Sequence, residues 1–201
     1  PQICFGLFSN DQESAFEGRA VRNFIPMSMR PQAHDIIRTW AFYTIIKSWM
    51  HYDTIPWNNI VISGHVLSDQ KEKLSKSKGN ANVEPNKLLA TYSADVVRYW
   101  TASGRLGQDI AFSETQLKIG QRLVTKLWNA FKFVQEHAQH APHQAPEKLG
   151  AINEWIIQQS NECFARYTEQ LDAYEFSLAL DTVEQFFWND FCDNYLEVVK
   201  D

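Results

Sequence analysis

Asn59-Ile60-Val61-Ile62-Ser63-Gly64 is a short β-branched run closed by glycine. It follows a stretch of helical period and precedes a polar loop, the signature of a buried parallel strand in an α/β unit. The helical stretch runs from His34 to about His51, where Ile37, Trp40, Ala41, Thr44, Ile45 and Trp49 recur at three and four residues. Pro56 separates the two. Residues 1 to 33 have no clear period and read as loops around a short strand.

Downstream of the strand, residues 68 to 82 form a lysine-dense loop with Gly79 and Asn80. Its centre is Lys71-Glu72-Lys73-Leu74-Ser75-Lys76-Ser77-Lys78, four lysines within eight residues, interleaved with serines. Parallel sheets bind ligands beyond the carboxyl ends of their strands. Lysine supplies a mobile point charge suited to phosphate, and small residues let the backbone approach it. A charge run with no ligand is the alternative reading: a solvated hairpin. Pro85 opens a helix, and Ser93 caps a second one reaching about Ser103, which Gly104 and Gly107 end.

From Ser113, which forms a capping box with Gln116, the chain reads as helical. Gly120, Val124, Leu127, Phe131, Val134 and Ala138 mark a first apolar seam. Pro142 and Pro146 interrupt it. Ile152, Ile156, Gln159, Cys163 and Tyr167 mark a second helix, and Leu180, Val183, Phe187 and Phe191 a third. Long helices with short joins pack as an antiparallel bundle. The fold class expected is an α/β Rossmann half-domain (1–68), a loop-and-helix connector (69–112) and a mainly α-helical bundle (113–201).

Hydrophobic residues make up 44% of the 201-residue chain and charged residues 21%, which excludes a disordered polypeptide. The net charge of −5 leaves any nucleic-acid contact to a local patch. Lys118, Arg122 and Lys126 form such a stripe, opposite the apolar seam, and are either candidate nucleic-acid phosphate contacts or a solvated helix face. Trp128, Trp155, Phe186, Phe187 and Trp188 are read as bundle core rather than base-stacking platforms. Cys4, Cys163 and Cys192 are odd in number and lack Cys-x-x-Cys spacing, which fits a reducing cytoplasm. His137, His140 and His143 step by three, but Pro142 breaks the helix between them, so no metal site is expected. No membrane span or signal peptide is evident. Ser75-x-x-Lys78 is a chance match to a penicillin-binding nucleophile, with the companion motifs absent. Pro1 and the last residues read as cut from a longer polypeptide.

Lys73-Leu74-Ser75-Lys76-Ser77-Lys78-Gly79-Asn80 resembles the KMSKS signature of class I aminoacyl-tRNA synthetases, with Leu74 in place of the usual Met. Tyr92-Ser93-Ala94-Asp95-Val96-Val97-Arg98 and Asp35-Ile36-Ile37-Arg38-Thr39-Trp40 resemble further segments of that family. Met29 to Thr44, Arg122 to Ala130 and Phe187 to Glu197 resemble its valyl branch. The resemblance implies that Lys73 and Lys76 are catalytic, holding the triphosphate as the amino acid carboxylate attacks the α-phosphate. It places Asp35 on the ATP ribose, Gly64 among the ATP-binding residues, and Ser75, Lys76 and Ser77 on the phosphates; His65 either lines the adenine side or simply packs. Ala33 stands where many members have Gly. ATP with Mg2+, L-valine and tRNA-Val are the implied substrates and partners, in a cytoplasmic, monomeric full-length enzyme. A second tetrapeptide of the type His-x-Gly-His and a hydrolytic editing domain belong upstream, so the chain alone is expected to be inactive. An isoleucyl enzyme fragment and a non-catalytic helical tRNA-binding module are the alternatives.

Overall fold

The computed structural model describes residues 25–68, 72–74, 85–139 and 148–200. It divides into two compact units. The first runs up to His65 and takes in Leu106–Gln108; the second holds Val66–Arg105 and Asp109 onward.

In the first unit, strand β1 (Met27–Ala33) pairs in parallel with β2 (Trp57–Ser63), in a register running from Met27↔Trp57 to Ala33↔Ser63. Parallel neighbours require a crossover. That crossover is a single helical path: a 3-10 turn His34–Ile36, a π-helical turn Ile37–Ala41 and helix α1 (Phe42–Tyr52). Asp53 ends it in the left-handed conformation (φ 52°), its amide donating to the Trp49 carbonyl at 2.9 Å. The small residues Ala41, Thr44 and Ser48 are buried, and Ser48 Oγ donates to the Thr54 carbonyl at 2.8 Å. The expected apolar face is therefore only partly used. Ile37, Trp40, Ile45 and Trp49 are exposed, because small side chains mediate the contact and the sheet described has only two strands.

The second unit begins with a small sheet. Strand β3 (Val66–Leu67) runs parallel to β4 (Ile110–Ala111). Helices α2 (Pro85–Thr91) and α3 (Ala94–Ala102) lie between them in sequence. Ser93 caps α3 as its residue type demands, accepting from the Val96 amide at 3.4 Å. Val96, Trp100 and Leu117 form a buried cluster around which Val66, Leu88, Tyr92, Ile110 and Phe112 pack. The small sheet, α3 and the start of the bundle thus share one core.

The bundle consists of α4 (Glu114–Gln139), α5 (Ala151–Asp172) and α6 (Phe176–Gln185). The last continues through a π-helical stretch (Phe186–Leu196) into α7 (Glu197–Val199). The seam of α4 differs from the sequence expectation. Leu117, Gly120, Leu123 and Ala130 are buried, whereas Leu127, Phe131 and Val134 are exposed. Trp128, expected in the core, is 58% exposed, with Lys132 Nζ 5.4 Å from its ring centroid. Apolar residues surround this helix, and the partner that exists selects the face: Leu123 and Ala130 meet Phe187 and Cys192. On α5, Ile156 and Cys163 are buried as their spacing requires. Thr182 Oγ1 donates to Gln170 Oε1 at 2.8 Å, and the Tyr195 hydroxyl to Asn153 Oδ1 at 2.9 Å, fixing α5 against the last helix.

Candidate functional site

The carboxyl ends of β1 and β2 lie side by side, Ala33 opposite Ser63. Each strand delivers a histidine just beyond its end. The His34 and His65 rings meet at a centroid distance of 4.2 Å, tilted by 59°. Asp35, in the first turn of the 3-10 helix, is exposed next to this pair, and Gly64 precedes His65. The sequence-selected residues Asp35, Gly64 and His65 therefore gather at one end of a parallel sheet, the end at which such sheets bind ligands. Arg30 reaches over the Trp40 ring, 3.6 Å from its centroid, and lies 5.6 Å from the ring of Trp57.

One residue here was not singled out from the sequence. Gln32, the penultimate residue of β1, is 6% exposed, and among the described residues neither Nε2 nor Oε1 has a hydrogen-bond partner. A buried, unsatisfied amide costs about 1–3 kcal/mol. The only hint in the sequence is a polar residue between Pro31 and Ala33 at the end of a strand.

Lys73 sits in the second unit, on a hairpin arm paired with β3. The Ser68 amide donates to the Glu72 carbonyl at 2.7 Å, and the Leu74 amide to the Val66 carbonyl at 3.2 Å. Leu67 and Lys73 form an antiparallel bridge between them. This hairpin extends β3, whose other edge pairs with β4. Lys73 is exposed on its returning arm. Ser75, Lys76 and Ser77, the rest of the expected phosphate loop, lie outside the described residues.

Lys118, Arg122 and Lys126 are all exposed on α4. They line a groove of about 800 Å³ together with Gln121, Asn129 and, from the last helix, Trp188. No described residue lining it is acidic. Among the described residues no cluster of three or more His, Cys, Asp or Glu is placed to hold a metal. His140 and His143 lie outside them, and His137 Nδ1 is 2.8 Å from the Phe133 carbonyl. No described helix is long and apolar enough to cross a membrane. Cys163 and Cys192 are buried free thiols, both pushed up in pKa chiefly by desolvation.

A second polar centre joins α3 to the bundle. The Tyr99 hydroxyl donates to Glu184 Oε2 at 2.8 Å, and Trp188 Nε1 donates to Glu184 Oε1 at 3.4 Å. Burial first, then the hydrogen bond to the carboxylate, raises the Tyr99 phenol well above its ordinary pKa. Gly120 lets the ring in: a Cβ there would stand 2.6 Å from Tyr99 Cδ1.

A strand–helix–strand unit with its polar residues at the strand ends, a lysine hairpin and a helical bundle together describe one class of protein. The family described as "tRNA synthetases class I (I, L, M and V)" matches residues 7–113, and "Anticodon-binding domain of tRNA ligase" matches residues 153–201. The chain belongs to the class I tRNA synthetases. Among individual proteins it is similar to the valine--tRNA ligase of Ehrlichia ruminantium (strain Gardel), 49% identical over 179 residues, 88% of this chain and 22% of that protein. It is also similar to the valine--tRNA ligase of Wolbachia pipientis wMel, 50% identical over 179 residues, 87% of this chain and 20% of that protein. The chain thus spans about a fifth of the length of these curated relatives. The methionyl-tRNA synthetase of Mycobacterium tuberculosis, solved with methionyl-adenylate, shares the fold with a TM-score of 0.69 at 24% identity, over 90% of this chain and 36% of that one.

Proposed function

We propose that the chain is the part of a valine--tRNA ligase that carries the phosphate loop and part of the tRNA-contacting bundle. The observation that carries this reading is near-50% identity to valine--tRNA ligases along almost the whole chain. In the reaction, a valine carboxylate oxygen attacks the α-phosphorus of ATP. The bond to the β-phosphate bridge breaks, pyrophosphate leaves, and valyl-adenylate remains for transfer to tRNA-Val. Mg2+ arrives with ATP as part of the substrate.

Each residue then has a task. Lys73 and Lys76 neutralise charge on the departing pyrophosphate, assisted by Ser75 and Ser77. Asp35 accepts from the ribose hydroxyls. Gly64 and His65 border the adenine. Lys118, Arg122 and Lys126 meet tRNA phosphates. Residues 69–112 connect the catalytic part to the bundle. The contact of His34, which adjoins Asp35 in the chain, with His65 at the strand ends supports the nucleotide side of this assignment. Removing one well-placed charge donor from such a transition state costs about 3–4 kcal/mol.

Backbone NMR of the 201-residue chain titrated with ATP and Mg2+ tests the reading. Shifts at Asp35, His65, Lys73 and Lys76 that vanish in Lys76→Ala support it. Shifts confined to the bundle, with none at the sheet end or the lysine loop, contradict it. Valyl-tRNA formation by the isolated chain would refute the expectation that the remaining walls of the site lie elsewhere.

A further inference from the structure

The path that carries Asp35 has little packing of its own. No residue from His34 to Trp40 is buried, and Ala41 is the first that is. Neither the 3-10 turn nor the π-helical turn has a side-chain cap at its start. Thr39 Oγ1 donates to the Ile36 carbonyl at 3.4 Å, a bond that stays inside the path and ties it to nothing else. A π-helical turn is rare in any protein and frequently marks a functional site. Here it follows directly on the turn that holds Asp35 at the carboxyl end of β1.

Two ring contacts tie this exposed path to the sheet. At its start, His34 meets His65, which follows β2. At its far end, Trp40 meets Arg30, which projects from the middle of β1. Asp35 lies between these two contacts in sequence. Arg30 Cζ is 3.6 Å from the Trp40 centroid and 5.6 Å from that of Trp57, the buried first residue of β2. One guanidinium thus joins both strands to the path beyond them.

The chemistry of Arg30 suits this task and no other seen here. Among the described residues no ion pair involves it, and its Nε is buried without a hydrogen-bond partner. A cation taken from water needs compensation, and the two indoles are what supplies it. Tryptophan gives the strongest cation–ring attraction, more so when the cation is desolvated. A planar guanidinium stacks on such a ring, whereas an ammonium is compact and strongly hydrated.

We propose that Arg30 is a positioning residue of the nucleotide site: its stack on Trp40 fixes the path that carries Asp35, so the carboxylate is in place before ATP arrives. The proposal deepens the reading of Asp35 as the ribose acceptor and rests on it.

The test is backbone NMR relaxation and ATP–Mg2+ titration of the 201-residue chain and its variants, with urea unfolding as the check on the fold. Arg30→Met keeps the aliphatic stem and removes the charged plane. Its order parameters at Asp35 and Trp40 should fall from about 0.85 to below about 0.6. ATP affinity read at Asp35 and His65 should drop roughly 2- to 30-fold, the worth of one cation–ring stack. Arg30→Lys, which keeps the charge without the plane, should lie between the two, and Trp40→Leu should match Arg30→Met. A double substitution separates positioning from a merely structural role. On an Asp35→Ala background, Arg30→Met should cost no further ATP affinity, because it acts through Asp35. An equal loss with and without Asp35, or an ordered path and unchanged affinity in both Arg30 variants, would overturn the proposal and leave Asp35 on the ribose. A wild-type chain in which ATP–Mg2+ moves no amide at the sheet end would remove the nucleotide reading and the proposal with it.

Discussion

Replacing Gly120 with alanine should destabilise the helical unit, although the same change in an exposed helix stabilises it. Gly120 lies inside α4, where alanine is favoured over glycine by about 1 kcal/mol. Here the added Cβ would stand 2.6 Å from Tyr99 Cδ1, 3.3 Å from Cγ and 3.4 Å from Cε1, so the ring must move. It is not free to move, because its hydroxyl is tied to Glu184 at 2.8 Å. Overpacking of this kind costs about 1–3 kcal/mol, and breaking a hydrogen bond to a charged acceptor costs about 1.5–3 kcal/mol. The net effect expected is a loss of about 1.5–5 kcal/mol after the propensity gain is subtracted. The assay is urea unfolding followed by far-UV circular dichroism, with Gly120→Ala made in both the wild type and a Tyr99→Ala background. In the second background the obstacle is gone, so the substitution should become neutral or stabilising. That reversal of sign is the coupling between the two positions. A Gly120→Ala chain as stable as the wild type, or an equal loss in both backgrounds, would refute the reasoning.

The remaining predictions concern three other positions. The neutral Tyr99 phenol is favoured in the folded state, so its contribution to stability is whole below the ordinary phenol pKa of 10.0 and is lost as pH rises above it. Urea midpoints measured from neutral to strongly alkaline pH should therefore fall more in the wild type than in Tyr99→Phe; parallel curves would contradict this. Ser93→Ala should cost about 1 kcal/mol through loss of the α3 cap, with Ser93→Asp nearly neutral, as read by urea unfolding. Gln32→Leu should stabilise the first unit by about 1–2 kcal/mol, since it removes two unsatisfied buried atoms. The same variant should weaken ATP-induced shifts at Asp35 and His65 in NMR titration, and a stabilised chain with unaltered ATP response would detach Gln32 from the site.

The elements that declare themselves locally could be read from the sequence. Ser93 before an apolar period, Pro85 at a helix start, and Ile156 and Cys163 a heptad apart each carry their meaning in a few residues, and each is found where expected. The strand at Asn59–Gly64 was recognisable for the same reason, although it begins earlier, at Trp57. Partner choice was less legible. On α4 the apolar residues circle the helix, and only the arrival of Tyr99, Phe187 and Cys192 decides that Leu123 and Ala130 face inward rather than Leu127 and Phe131. The π-helical stretch Phe186–Leu196 has no proline or glycine to announce it. Its i, i+5 geometry stacks Phe187, Phe191 and Tyr195 at 6.0–6.2 Å, a spacing that looks ordinarily helical in sequence. At the site, residue type and order pointed to Asp35, His65 and Lys73. The unsatisfied amide of Gln32 and the two-sided hold of Glu184 on Tyr99 and Trp188 depend on contacts between residues far apart in the chain. Periodicity carries no trace of these.

The most direct measurement is a segment exchange. The matching region of the Ehrlichia ruminantium valine--tRNA ligase is replaced by this chain, and amino-acid-dependent exchange of pyrophosphate into ATP is followed with valine and with isoleucine. The account predicts exchange with valine, little with isoleucine, and a drop of about 100- to 1000-fold on Lys76→Ala. A folded chimera that exchanges only with isoleucine, or that keeps its valine rate without Lys76, would contradict it.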